Sequence, residues 1–227
     1  RRTKSADRNS IVMTLLLTGY EPFGDHETNP TAHVARELDG DTVAGHDVVG
    51  RVLPVEFDAA GGRMRGLVDD HDPDAVLAMG LSTGRAGVSV ERVGLNVADA
   101  GSVPDNAEAQ PHHERVQEGG DAAYFATVPV VAVVRELLAD DVPARVSNSA
   151  GTHLCNDVLY ETRAYLERTG RDVPAGFVHL PCTPEQAARK ARDADGDAGA
   201  LQPSLPLSTQ VEAVRRAFEV TVSERRD

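Results

Sequence analysis

The sequence predicts an α/β protein: a single three-layer α/β/α domain with a mostly parallel twisted sheet. Three observations carry that prediction. Short apolar runs alternate with helix-period segments along the chain, the order expected of helices packed on a parallel sheet. The runs at 75–79 and 175–180 are apolar at almost every position, as strands covered on both faces are. With 227 residues and 41% hydrophobic content, one domain can bury a sizeable core. Aromatics make up only 4% and Trp is absent, so that core must rest on Val, Leu and Ala.

Each element follows from local signals. Residues 11–18 read as the first buried strand. Asn29-Pro30 supplies an N-cap and a first helical residue, Ala32, Ala35 and Leu38 share one face, and Gly40 stops the helix. Residues 47–55 are a second strand, and 57–70 a helix weakened by Gly61 and Gly62. The run at 75–79 is a third strand closed by Gly80, and 88–97 is extended with only approximate alternation. Residues 101–120 form a polar loop of a length that marks it as functional or disordered. A helix over 130–139 and a strand over 144–147 follow. The helix over 152–168 gathers Leu154, Val158, Tyr165 and Leu166 near one stripe. Residues 175–180 are the last strand, 193–200 a loose Asp/Gly/Ala insert, and 209–225 a final helix opened by a capping box, Thr209 with Glu212. Residues 1–12 read as a disordered or upstream extension, leaving the domain at 13–227. They lack the apolar core of a secretory signal, and no run of 18 apolar residues suggests a membrane span. The expected location is cytoplasmic.

Charge narrows the function. The chain holds 21 Asp and 15 Glu against 21 Arg and 2 Lys, for a net charge of −13. Such a surface repels phosphate backbones, so no nucleic-acid partner is expected. Scarce Lys beside abundant Asp points to work in high salt, where self-repulsion is screened. An acidic protein from a GC-rich genome is the alternative. Two cysteines make no disulfide framework.

Three residues invite chemistry. Cys155 follows a strand and a small-residue turn, Ser147-Asn148-Ser149-Ala150-Gly151, at the start of a helix. Unpaired N–H groups and the helix dipole there favour a thiolate, although a lone Cys is more often a small core residue. His179 lies near the end of an apolar strand. Placed beside the Cys155 turn it could take the thiol proton and return it to a leaving amine, although most such histidines are satisfied core residues. Glu91, inside an apolar extended segment, could orient His179 or simply pair with Arg92. His112-His113, followed by Glu114, hint at a metal site. No third ligand has convincing spacing, so a solvated loop is the plainer reading and no metal is expected. Cys182 reads as structural. Gly80-Leu81-Ser82-Thr83-Gly84-Arg85 is glycine-rich after a strand but lacks the Lys of a phosphate loop.

Several segments together resemble the pyroglutamyl peptidase I family. They are Thr18-Gly19-Tyr20-Glu21-Pro22-Phe23-Gly24 with Asn29-Pro30-Thr31, Gly80 to Arg85 leading into Glu91-Arg92-Val93-Gly94-Leu95-Asn96, Pro104-Asp105-Asn106, residues 123–129, 147–156 and 176–181. The resemblance spans about residues 14–190, in the same order and at similar spacing. It implies a cytosolic cysteine exopeptidase without cofactor or metal, acting on peptides with an N-terminal pyroglutamate, and commonly a homo-oligomer, often a tetramer. By motif position Cys155 would be the nucleophile, His179 the base and acid, and Glu91 the support of His179. Phe23 would pack on the lactam ring, with Tyr20 and Asn29 also beside the substrate. The acidic composition adds the expectation of a halophilic archaeal source. One departure matters: the family's Asp-Ala-Arg run is Asp99-Ala100-Gly101-Ser102 here, with one residue inserted and the Arg gone. Arg85 is the nearest substitute. The lost Arg and the added Tyr20 hydroxyl leave two alternatives open: a related cysteine amidase with altered substrate, or a weakly active or non-catalytic homologue.

Overall fold

The structure, a computed structural model, describes residues 13–193 and 201–225. The expected N-terminal extension and most of the insert at 193–200 lie outside the described residues. The elements run β1 (Thr14–Tyr20), α1 (Pro30–Leu38), β2 (Thr42–Val43), β3 (His46–Leu53), α2 (Phe57–His71), β4 (Ala75–Leu81), β5 (Val88–Glu91), β6 (Val93–Leu95), β7 (Ala123–Phe125), α3 (Val130–Ala139), β8 (Ala144–Ser147), α4 (Leu154–Thr169), β9 (Ala175–Leu180), α5 (Pro184–Asp193) and α6 (Leu207–Glu224).

Seven strands form one sheet in the order β2-β3-β1-β4-β9-β5-β8. The strands β3, β1, β4 and β9 are mutually parallel. β5 runs antiparallel to β9 and parallel to β8, so the sheet reverses direction between β9 and β5. β8 and β9 therefore point in opposite directions, so the strand before Cys155 and the strand through His179 end on opposite edges of the sheet. Alternation along the strands divides the core into two layers. Leu15, Leu17, Met79, Val178 and Leu180 pack with Phe218 of α6 and Leu137 of α3. Leu16, Ala78 and Phe177 pack on the other face with Met64 of α2 and Val158 of α4. The result is the three-layer arrangement, with α4 on the face that carries Phe177.

Some local readings need correction. Gly80 lies inside β4 rather than ending it. The extended stretch at 88–97 breaks at Arg92, with β5 in the main sheet and β6 paired to β7 in a separate two-stranded sheet. The hairpin strand β2, the strand β7 and the helix α5 have no counterpart in the sequence reading, because two of them span only two or three residues and α5 is polar. The last helix starts two residues early, capped by Pro206 with no side-chain hydrogen bond. Thr209 therefore lies inside the helix and the capping box does not form. Asn29 does cap α1, its Oδ1 accepting from the Thr31 amide at 3.1 Å.

Candidate active site

Register places the imidazole. In the parallel pair β4–β9, Gly80 is opposite His179, so a side chain at 80 would share a face with the His179 ring. That side chain is absent, and its space is taken: a Cβ on residue 80 would lie 2.5 Å from the Cys155 Sγ and 3.0 Å from the Phe177 ring. The glycine thus opens a notch in the sheet into which the first turn of α4 lowers its thiol, one strand from His179.

The antiparallel register of β5 does the rest. Ser89 pairs with His179 and Glu91 with Phe177, which brings the Glu91 carboxylate alongside the imidazole. His179 Nδ1 lies 2.7 Å from Glu91 Oε1. Glu91 is fully buried and His179 is 4% exposed. Arg85 donates from Nη1 to the same oxygen at 2.7 Å, and its Nη2 reaches the Ser149 carbonyl at 3.4 Å. Glu91 does not pair with Arg92, whose Nη1 donates to Asn148 instead.

Charge states follow from these contacts. Burial pushes the Glu91 carboxyl up, but the hydrogen bond from His179, the Ser147 hydroxyl and the Arg85 guanidinium outweigh it and hold it below the usual range. An ionised carboxylate only accepts, so Nδ1 of His179 carries a proton and Nε2 is left with the lone pair. Burial lowers the His179 pKa, with Glu91 pulling it back up and Arg85 lowering it further. The imidazole is therefore neutral at neutral pH. Burial pushes the Cys155 thiol up to about 12, Glu91 adds to the rise, and Arg85 opposes it. This corrects the expectation of a standing thiolate. The helix-start position is as expected, but desolvation over the closed sheet outweighs the dipole. With the thiol held up and the imidazole held down, the proton rests on the Cys155 sulfur and the His179 Nε2 is free to accept one.

Beside the thiol lies a slot lined by Tyr20, Phe23, Asn29, Val55, Leu81, His153, Leu154 and Cys155. Its free volume of about 30 Å³ holds one or two waters, and half-buried Phe23 and His153 stand in its wall. A wider cavity of about 470 Å³ lies behind α4 among charged side chains including Arg65, Asp157 and Glu161; Cys155 does not line it. The Tyr20 hydroxyl donates to the Leu154 carbonyl at 2.9 Å, tying β1 to the first turn of α4, which holds Cys155. Asn29 Oδ1 accepts from both the amide and the hydroxyl of Thr31, and its Nδ2 donates to the Glu21 carbonyl. His153, two residues before Cys155, packs tilted against Phe57 with ring centroids 4.9 Å apart and has Nε2 3.1 Å from the Val103 carbonyl. A carbonyl only accepts, so that nitrogen is a donor and His153 is part of the wall. Cys182 is fully buried, away from this slot.

Three supports escaped the sequence reading. Asp105 caps α2 from the long loop, its Oδ2 accepting from the Phe57 amide at 2.8 Å. Asn156 binds Leu95 through both backbone groups and the Val97 carbonyl. Asn106 donates to Glu21 Oε1 at 2.9 Å. Each is a polar residue near a motif, but the partner is 48 to 85 residues away, and no local spacing reveals it. Gly101, where the resemblance leads one to look for Arg, has φ +57° and open space around it.

Comparison with known proteins gives the chain a family. Residues 13–224 match the family model described as pyroglutamyl peptidase. The chain is 46% identical over 214 residues to a pyrrolidone-carboxylate peptidase of Chromobacterium violaceum, covering 94% of this chain and 95% of that one. It is 37% identical to the Pyrococcus furiosus protein of that name, over 93% of this chain and 99% of the relative. A solved structure of a mutant pyrrolidone carboxyl peptidase from P. furiosus superposes with a TM-score of 0.89 at 36% identity, covering 94% of this chain and all of the other. The Thermococcus litoralis structure gives 0.88 at 34% identity, over 94% and 95% of the two chains.

Proposed function

Because the chain belongs to the pyroglutamyl peptidase family, we propose that Cys155, His179 and Glu91 carry out its reaction, hydrolysis of the amide bond after an N-terminal 5-oxoproline. The enzyme is a cysteine peptidase. The observation that supports the assignment of residues is the 2.7 Å bond from His179 to a buried carboxylate, one strand from a thiol seated over Gly80. As Sγ attacks the amide carbonyl, His179 Nε2 takes the thiol proton. The imidazolium so formed is stabilised by ionised Glu91. The oxyanion forms beside the Leu154 and Cys155 amides at the start of α4; the Asn156 amide already donates to the His153 carbonyl at 3.0 Å. His179 then protonates the leaving amine, the C–N bond breaks, and a thioester remains on Cys155. Water, deprotonated by the same nitrogen, releases 5-oxoproline and restores the thiol.

A lactam carries no charged amine, so an apolar slot walled by Phe23, Tyr20 and Val55 suits it, with Asn29 at its polar end. Arg85 answers the missing Arg. It fixes the Glu91 carboxylate and lowers both thiol and imidazole pKa, which favours an active enzyme over a weak homologue. We place the enzyme in the cytoplasm of a halophilic archaeon, as a homo-oligomer, on the strength of the −13 net charge with 2 Lys and the family resemblance. Among the described residues no helix is long and apolar enough to cross a membrane. The test compares chromophore release from a pyroglutamyl amide and a prolyl amide in molar KCl. Release from the first alone is expected; equal release, or none from either, would count against this reading.

A further inference from the structure

The long loop holds a constellation outside the slot. His112 Nδ1 lies 3.6 Å from Asp99 Oδ1, and His113 Nδ1 3.3 Å from Asp99 Oδ2. One donor atom from each of the three residues falls within 4.8 Å of the others. Donors around one tetrahedral ion with bonds near 2.0–2.1 Å stand about 3.3 Å apart. We propose that Asp99, His112 and His113 bind one divalent transition-metal ion of the zinc class.

The backbone builds this convergence. Ala98 and Glu114 exchange both hydrogen bonds, at 2.9 and 3.0 Å, and the Ala100 amide donates to the Pro111 carbonyl at 2.9 Å. Between those ties one residue, Asp99, faces two, His112 and His113. That is a bulge, which re-aims side chains. His113 adopts φ +52°, a left-handed conformation in which His is enriched. Neighbouring side chains that would point apart on a regular strand thus meet, with ring centroids 4.6 Å apart. The third donor that sequence spacing did not supply comes from the opposite arm of the loop, 13 residues before His112. The Gly101 amide donates to Asp99 Oδ1 at 2.9 Å and the His113 amide to Oδ2 at 3.4 Å, which holds the carboxylate facing both rings. Two imidazoles and a carboxylate select zinc-class ions over Mg²⁺ or Ca²⁺, which prefer all-oxygen sites. Both rings are more than 70% exposed, so water completes the coordination. The −13 chain attracts cations.

The site touches the active-site wall. The Asp99 amide donates to the Thr152 carbonyl at 2.8 Å and the Thr152 hydroxyl to the Asp99 carbonyl at 2.9 Å, three residues before Cys155. An ion held by both arms clamps the loop against that segment.

The test titrates Zn²⁺ and Co²⁺ into untagged protein carrying Cys155→Ala, which removes the slot thiol as a competing ligand; Cys182 is fully buried. Calorimetry is expected to give one micromolar Zn²⁺ site, and Co²⁺ to show visible absorption. Adding His112→Ala and His113→Ala should weaken Zn²⁺ by at least about 100-fold, since even outer-shell losses cost 10–100-fold. In the otherwise wild-type chain, metal-free turnover should survive those two exposed substitutions. Binding no tighter than millimolar, or binding that ignores both histidine substitutions, would overturn the site.

Discussion

The two halves of the site are built differently. Glu91, His179 and the notch at Gly80 sit on adjacent strands of the central sheet, buried and fixed by register. The slot is walled largely from turns, by Phe23 and Asn29 before α1, Val55 before α2 and His153 before α4, with Phe23 and His153 half-buried, and the loop after β6, where Gly101 and His113 have positive φ, lies against that wall. The sheet half cannot move without breaking ladder bonds. The loop half is held outside the main sheet by side-chain and turn contacts, such as those of Asn106 with Glu21 and Pro22 and of His153 with Val103. The Glu91–His179 pair is thus fixed in advance by the sheet, while the slot side lies in turns and a loop, the segments from which mobile regions are usually drawn. Substitutions in the sheet half should act on kcat, and those in the loop half on KM or stability.

The largest expected effect is at the thiol. Cys155→Ser should reduce turnover by about 10⁴-fold or more, since members of a catalytic unit fail together. Cys182→Ser should leave it nearly intact. Similar losses in both would remove the distinction between a reacting and a packing cysteine.

Next come His179→Ala and Glu91→Gln. Loss of the base should lower kcat by about 10²–10⁴-fold. In Glu91→Gln, Arg85 still holds the side-chain oxygen toward His179, so the tautomer survives and only the charge is lost. One to two pKa units of imidazolium stabilisation, about 10- to 100-fold, should then be the cost. Steady-state kinetics showing equal losses would give Glu91 a more direct part.

How much of this was legible is itself uneven. That Glu91 reaches His179 could be expected from residue type and motif order, and the strands at 144–147 and 175–180 stand where their apolar runs put them. The reversal between β9 and β5 could not, because parallel and antiparallel buried strands share one apolar pattern. For the same reason the thiol pKa was misread. A helix start is local, whereas desolvation by the Gly80 notch and Phe177 depends on a register 75 residues away. Tyr20 reads as a pocket hydroxyl in sequence and proves to be tied to Leu154.

Arg85 tests whether that reading of the sheet half extends to its support. Arg85→Ala should lower kcat by about 10-fold or more, one pKa unit on the charges it touches, with little change in KM. Wild-type kcat in that variant would mean Glu91 needs no second partner.

The smallest effects belong to the loop half. Gly101→Arg restores the family residue at φ +57°, which costs an L side chain about 1–2 kcal/mol, or roughly 2–8 °C in Tm for a chain of this size. With Arg85 already on Glu91, kcat should not rise; an increase would show that the position still matters. Tyr20→Phe removes one buried hydrogen bond and should cost about 1 kcal/mol with kcat nearly unchanged. A tenfold rise in KM instead would make the hydroxyl a substrate contact.

The most direct test of the central claim, a neutral Cys155 thiol activated by His179, is iodoacetamide labelling followed by mass spectrometry across pH. The label should fall on Cys155 alone. Because burial holds the thiol near 12, the labelling rate should climb about tenfold per pH unit from pH 7 to 10, while kcat/KM falls only at acid pH, below the ordinary His value of about 6.5, as neutral His179 is lost. A labelling rate that is flat from pH 6 to 9 would show a standing thiolate–imidazolium pair, and label on Cys182 would show the wrong nucleophile; either contradicts the account.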